Sequence, residues 1–479
     1  MVVSITKGTF YLTISSIIFM FSGYLINIFL GRYLGPAAYG LYGIIFSLVT
    51  VINLTQVSGL PQAVTKYISA HTNKTESIYK TGFFLQIIST GIVSVLFFFF
   101  SGTIAQLLKD PTLTPYLKLA AGIFPLYGLL ALLTGYYNGL HQFGKQAFIH
   151  ITYSVVKIVG IITLTYFFHL YGVILGFIIS LIVTLLLRLH LPKKTDETFP
   201  YKKIISFSFP LIGVAICANL LQSIDLFFIK ALMHSDSNTG FYTANQNIAE
   251  IPYFALTALA TVLFPSISKH VSNNRHDEAK NLIQKALRFC LLVLTPAVLI
   301  ISATSMQALS FLFSSEYHPG AQSLSILVIG SGFFTIFIIL TTIISSAGSP
   351  IKSAILAGIG VLITSLLCIF LIPILGLNGA ALATTIAAGF MMLAAATSVY
   401  KKFGVLFNLK STGKILVASL LLFFLAKMII LPVILLPFVY LFLFAIYVAI
   451  LSLLKEITKE DIALVRSLVP KKILDKIKL

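Results

Sequence analysis

This chain has little charge. Only 10% of its residues are Asp, Glu, Lys or Arg, 58% are hydrophobic and the mean hydropathy is +0.99. Soluble domains carry about 25% charged residues, so an ordinary soluble protein is excluded. Acidic residues are the scarcest: 14 Asp and Glu stand against 33 Lys and Arg, a formal net charge of +19. The three cysteines, Cys217, Cys290 and Cys368, sit in or beside apolar segments. They have neither metal-ligand spacing nor the pattern of a secretory disulfide framework, so no metal site is expected. Also missing are a phosphate-binding G-x-x-x-x-G-K-[ST] loop, a helical H-x-x-x-H pair and a nucleophile elbow, which argues against an ATPase or a membrane hydrolase. No cofactor is expected, and the chain reads as a non-enzyme. The polar–apolar alternation of a membrane β-barrel is lacking as well. The first apolar span has no small-residue cleavage site and carries Gly23 and Asn27 late in its length, so it reads as a retained helix.

What the chain does have is long apolar runs. Phe83 to Phe100, Ile355 to Ile372 and Val433 to Leu454 approach or reach the roughly 20 residues that cross a bilayer core as helix. Fourteen such spans are expected between residues 9 and 454, which makes the chain an all-α polytopic membrane protein. Counted loop by loop, the basic residues collect on one side. The other side keeps only Arg32, Lys109, Lys118 and Lys230, while Lys157 and Lys427 fall within spans. This asymmetry places both termini in the cytoplasm of a multi-pass cell-membrane protein, and it accounts for the basicity by orientation and anionic lipid rather than nucleic acid.

The spans are duplicated. Leu34-Gly35-Pro36-Ala37-Ala38-Tyr39-Gly40-Leu41-Tyr42 returns as His234-Ser235-Asp236-Ser237-Asn238-Thr239-Gly240-Phe241-Tyr242, 200 residues on, and each copy links two long apolar segments, so loops are expected over 32–40 and 232–240. Thr134, Lys145 and Gly172 find counterparts in Thr341, Lys352 and Gly379, at an offset of 207. Six spans per copy give parallel repeats, the mark of a transporter with its site between two bundles. The expected organisation is a six-helix lobe over residues 1–190, a cytoplasmic linker over 191–202 and a second lobe over 203–400. Helices 13 and 14 follow over 401–454, then an amphipathic cytoplasmic tail over 455–479. Residues 271–288 read as a polar turn leading into an interfacial helix.

Polar residues on one face of a membrane helix point to protein or water rather than lipid. At 100° per residue, Thr243, Gln246, Asn247, Glu250, Tyr253 and Thr257 share one third of the circumference of the eighth span. The second span carries Ser47, Thr50, Asn53 and Gln56, the first Ser16 and Asn27, and the seventh Asn219, Gln222, Ser223 and Asp225. Together they suggest a hydrophilic cavity lined by these four spans. A blander reading, in which the amides only join helices, stays open. Charges within spans are costly unless paired or wet. Asp225, Glu250 and Lys157 are therefore candidates for ion coupling or gating, with a Glu250–Lys157 pair as one arrangement and satisfaction within each half as the other. Asp225 and Lys230 are spaced for a local contact. On the basic side, Lys66, Lys145, Lys269 and Lys352 stand in pseudo-symmetric positions suited to capturing a phosphate headgroup, or serve only as orienting charges.

The stretch Gly31-Arg32-Tyr33-Leu34-Gly35-Pro36-Ala37-Ala38-Tyr39-Gly40-Leu41-Tyr42, with Ser223-Ile224-Asp225 and Gly240-Phe241-Tyr242, resembles the Wzx-type polysaccharide flippase family of the multidrug/oligosaccharidyl-lipid/polysaccharide exporter superfamily. The likeness covers essentially the whole chain. It implies two six-helix lobes plus two helices that alternate access and carry a polyprenyl-diphosphate-linked oligosaccharide from the inner to the outer leaflet. Coupling to a proton or sodium gradient, and partnership with membrane lipids, a polysaccharide polymerase or glycosyltransferases, follow by the same likeness. The substrate cavity would comprise Asn27, Arg32, Asn53, Gln56, Asn219, Gln222, Gln246, Asn247 and Tyr253. Two departures matter. The lipid II branch places arginines within cavity helices, whereas here Arg32 stands at a helix end, which argues against lipid II. The first span also lacks the acidic residue found in many multidrug exporters. A cation-coupled multidrug antiporter and a non-transporting scaffold for glycan-assembly enzymes remain the alternatives.

Overall fold

The computed structural model describes residues 5–193, 195, 197–273, 275–429 and 432–457. Among these, the regular structure is entirely helical. In chain order the helices are α1 (Ile5–Ser58), α2 (Leu60–Ala70), α3 (Thr75–Leu107), α4 (Thr114–Ala120), α5 (Ile123–Gly139), α6 (Phe143–Arg188), α7 (Tyr201–Met233) and α8 (Asp236–Ala249). They continue as α9 (Ile251–Ser272), α10 (His276–Ala303), α11 (Ser305–Leu312), α12 (Ala321–Ser346), α13 (Pro350–Leu375), α14 (Leu377–Phe403), α15 (Leu409–Met428) and α16 (Leu436–Leu453). Of the tail expected over 455–479, residues 458–479 lie outside the described residues.

Eleven helical runs are long and apolar enough to cross a membrane. Two of them are broken into two spans each, α1 at Gly35 (φ 71°, ψ 172°) and α6 at His169 (φ 47°, ψ −128°). Counting α8 with α9 as one further, more polar span gives fourteen among the described residues. The chain is a multi-pass membrane protein.

Three local expectations are corrected. The loop expected over 32–40 is a single kink: Gly35 takes the left-handed φ that glycine adopts freely, and Pro36 opens the next helical segment, where its missing N–H costs nothing. The loop expected over 232–240 shrinks to His234, left-handed at φ 52°, and Ser235, because Asp236 already begins α8. Helix α10 begins at His276 and runs unbroken to Ala303, so the interfacial helix expected within 271–288 is the polar first part of a spanning helix. The eighth span is interrupted at Glu250, two residues before Pro252, which cannot donate to the helical ladder.

The copies at offset 207 fold alike. Lys145 N donates to Gln142 O at 3.0 Å and Lys352 N to Ser349 O at 3.2 Å. His141 and Gly348 occupy matching positive-φ positions in these turns, at 55° and 88°. Thr134 and Thr341 each bond the carbonyl three residues back, at 2.7 and 3.0 Å. Gly172 packs on the Leu164 carbonyl and Gly379 on that of Leu371, again at equivalent positions.

The described residues form two compact units. The first draws on Met1–Asn247, Leu312–Ser323 and Ala354–Ala387. Part of its core joins Ala63, Val64 and Ile68 of α2 to Ile78 and Tyr79 of α3, Leu132 and Tyr136 of α5, and Ile204 of α7. The second draws on Ile248–Phe311, Leu324–Ser353 and Ala388–Leu479. There Glu456 binds the Arg288 guanidinium at 3.0 Å, accepts from the Ser411 hydroxyl and lies 3.5 Å from Lys414, tying α10 and α15 to the end of α16.

Candidate functional site

Within the first unit, the second half of α1 crosses α8 where the chain supplies glycine on both sides. A β-carbon on Gly40 would strike the Asp236 carbonyl, and one on Gly240 would strike that of Pro36. Three residues on, Gly43 faces the side chain of Thr243. The contact is reciprocal and keeps the 200-residue offset, so the two repeat copies meet about a local pseudo-twofold axis. Beside it, the buried Tyr39 donates its hydroxyl to Asn27 Oδ1 at 3.0 Å and accepts from Asn247 Nδ2 at 3.2 Å. One tyrosine thus joins α1 to α8.

Asp225 on α7 is the most heavily bonded carboxylate in this unit, and it is 2% exposed. Oδ2 accepts from the Tyr242 hydroxyl at 2.7 Å and the Thr384 hydroxyl at 2.8 Å. Oδ1 accepts from Leu226 N at 2.9 Å and Gln246 Nε2 at 3.0 Å, and the same amide also reaches Gln222 O at 3.1 Å. Residues of α7, α8 and α14 converge on it. Chemically this is one buried carboxylate held by two hydroxyl and two N–H donors from three helices.

The local Asp225–Lys230 contact suggested by spacing does not form, because Lys230 turns instead to Asp110 and Asp236. Lys230 is 3% exposed, and the two carboxylates come from the turn after α3 and the first residue of α8. Burial would raise the Asp110 carboxyl, but bonds from Lys230 and Thr112 and the Lys230 charge outweigh it, holding Asp110 below the usual carboxylate range. Arg32, exposed at the end of the first half of α1, donates from Nε to Leu312 O at 3.0 Å.

Lys157 sits in an aromatic box. Its ammonium lies 4.9 Å from the Phe19 ring, 5.4 Å from Tyr153 and 5.7 Å from Phe177, and it forms no salt bridge to a described carboxylate. A desolvated cation on ring faces gains on the order of 2 kcal/mol. Lys157 belongs to the first unit; Glu250 and Tyr253 belong to the second, where Tyr253 packs on Phe334 at 6.1 Å. Asn219 bonds back to its own helix at Ala215 O, 2.7 Å. Asn53 Oδ1 and both amide atoms of Gln56 are buried without a hydrogen-bond partner. So are those of Gln86, close to Gln56 beside Gly128. Thr257 lies outside the residues whose side chains are described. Lys66 stacks its ammonium 3.8 Å from the Phe207 ring, Lys145 lies 5.3 Å from Tyr137, and Lys269 and Lys352 are exposed.

Sequence reasoning missed Asp110, Asp236, Thr384, Tyr39 and Gln86, and gave Lys230 the wrong partner. A polar residue inside an apolar run, as Gln86 is, was the one available signal. The others depend on which helices meet.

Residues 29–322 match the model of a family described as polysaccharide biosynthesis protein. The uncharacterized membrane protein YabM of Bacillus subtilis (strain 168) is 24% identical over 426 residues, covering 81% of this chain and 78% of that one. The putative O-antigen transporter of Shigella flexneri is 24% identical over 378 residues, covering 75% and 88%. Among solved structures, lipid II flippase MurJ in an inward closed conformation superposes with a TM-score of 0.79 at 16% identity, covering 92% of this chain and 98% of that one. That last similarity speaks for the fold.

Proposed function

Because the chain belongs to the polysaccharide biosynthesis protein family, we propose that it flips a polyprenyl-diphosphate-linked oligosaccharide from the inner to the outer leaflet of the cell membrane, in cell-surface polysaccharide export. It does so by alternating access and transforms no bond. The observation that carries the reading is the reciprocal crossing of Gly40 and Gly240, which supports two related helix sets moving against each other about a tight contact. The prenyl chain stays in lipid, so only the diphosphate and sugars need a polar path. Asn27, Asn53, Gln56, Asn219, Gln222, Gln246, Asn247 and Tyr253 supply donors and acceptors suited to sugar hydroxyls, and Arg32 waits at the outer end. Both termini are cytoplasmic, which puts Lys66, Lys145, Lys269 and Lys352 on the side where a diphosphate headgroup is loaded. Asp225 takes up a proton or sodium ion, and its occupancy shifts the balance between the two access states; Glu250 and Lys157 tune the same equilibrium. A polymerase or glycosyltransferases act before and after the flip.

The test is inner-to-outer transfer of a polyprenyl-diphosphate oligosaccharide in proteoliposomes, with and without an imposed ion gradient. Protein-dependent transfer supports the reading. Absence of transfer across several glycans, alongside gradient-driven efflux of organic cations, replaces it with an antiporter.

A further inference from the structure

The break at His169 folds α6 back on itself, so that residues at its two ends, Lys145 and Arg188, line a single cavity of about 430 Å³. That volume lies within the range of small-ligand pockets. Tyr137, Phe148 and His190 complete much of its wall. The Arg188 guanidinium lies 3.9 Å from the Phe148 ring centroid, and neither cation forms a salt bridge to a described carboxylate. The wall is held from behind. His190 stacks on Tyr136 at 5.2 Å, and its carbonyl accepts from the Tyr79 hydroxyl at 2.6 Å. Glu76 accepts from Tyr136 and from the backbone of Lys193, both at 3.3 Å, which fixes the chain leaving α6. This carboxylate bonds to the outer layer of the wall and leaves the two cations free for a ligand. The rim is apolar and open: Phe148 is 47% exposed and Leu187 61%.

We propose that this cavity binds the phosphate headgroup of a membrane lipid, whose hydrocarbon chain runs along Phe148 and Leu187. Two uncompensated cations, one of them a guanidinium able to bind oxygens in pairs, select phosphate. The site lies at the ends of spanning segments, at headgroup depth, and its exposed apolar rim suits a ligand that carries a chain. Bulk anionic phospholipid and a polyprenyl phosphate offer the same chemistry.

Native mass spectrometry of the full chain tests it, with phosphatidylglycerol, undecaprenyl phosphate, phosphatidylcholine or inorganic phosphate added. Retention of either anionic lipid, but not phosphatidylcholine, is expected, falling about thirtyfold in Lys145→Gln/Arg188→Gln, as removal of two interfacial charges requires. The charge-keeping Lys145→Arg/Arg188→Lys retains lipid, and Lys401→Gln behaves as the parent. A preference between the two lipids names the source. Equal retention in Lys145→Gln/Arg188→Gln overturns the proposal, and so does displacement of the lipid by millimolar inorganic phosphate, which assigns a free-anion site. A photoreactive phosphatidylglycerol on the unaltered protein gives an independent reading. Labelling near residues 145–149 or 186–190 supports the site; labelling confined to other helices overturns it.

Discussion

Gly40 and Gly240, 200 residues apart in sequence, meet so closely that neither leaves room for a β-carbon on the other. What each would strike is backbone, which cannot swing away as a side chain can. Gly40→Ala and Gly240→Ala should therefore each destabilise the protein by about 1–3 kcal/mol, the range for overpacked sites. Gly91→Ala, where a β-carbon meets nothing within 4 Å, should be close to neutral. Thermal melts in detergent rank the three; a Gly40→Ala as stable as Gly91→Ala would mean that the crossing relaxes freely.

Asp225 gathers four donors, and its hydroxyl partners differ in helix. Asp225→Asn should abolish the dependence of transfer on an ion gradient, while Thr384→Val and Tyr242→Phe weaken it, each losing one bond to a charged acceptor worth about 1.5–3 kcal/mol. Transfer rates at several imposed gradients separate loss of coupling from loss of folding. Undiminished gradient dependence in Asp225→Asn would move the coupling group elsewhere.

Lys157 is held by aromatic faces, whereas Lys427 lies 5.1 Å from the Phe423 ring near the end of α15. Lys157→Met keeps length and apolar packing, so insertion should survive. Transfer should fall by at least about tenfold for Lys157→Met and for Glu250→Gln, against less than twofold for Lys427→Met, since a charge within a span is retained for function. A double Glu250→Gln/Lys157→Met no worse than either single reveals energetic coupling between them. Strict additivity of the two losses would show that they act separately.

Asp110, bonded by Lys230, makes stability depend on pH. The Asp110 carboxyl is held below its ordinary value in the folded protein, so its contribution is fully present above the unfolded value of about 3.9 and is lost as pH falls through the lower folded value. The melting temperature of the parent should exceed that of Asp110→Asn by a constant margin above about pH 5, and the margin should shrink below about pH 4. Glu456, lowered by Ser411, Arg288 and Lys414 against its own burial, predicts the same sign for Glu456→Gln. A margin that widens on acidification would contradict the assignment.

Much of this was legible in one dimension. Apolar runs long enough to cross a bilayer, few charges and basic residues concentrated in alternate loops determined a helical polytopic protein with fourteen spans, because hydrophobic length is a local property of the chain. The duplication was equally plain, since the matched marks survive as residue types: Gly172 with Gly379, Lys145 with Lys352 and Gly40 with Gly240. The polar residues of the candidate site were visible too, as amides and a carboxylate within otherwise apolar spans. Their partners were not. A helix apolar around most of its circumference does not announce which side faces protein, so facing is settled only when helices pack. Tertiary structure alone sent Lys230 to Asp110, 120 residues away, rather than to Asp225 five residues away. It also brought Thr384 to Asp225 and closed aromatic rings around Lys157. Folding α6 back at His169 then put Lys145 and Arg188 into one cavity, a meeting that depends on a single backbone break and that no spacing in the sequence encodes.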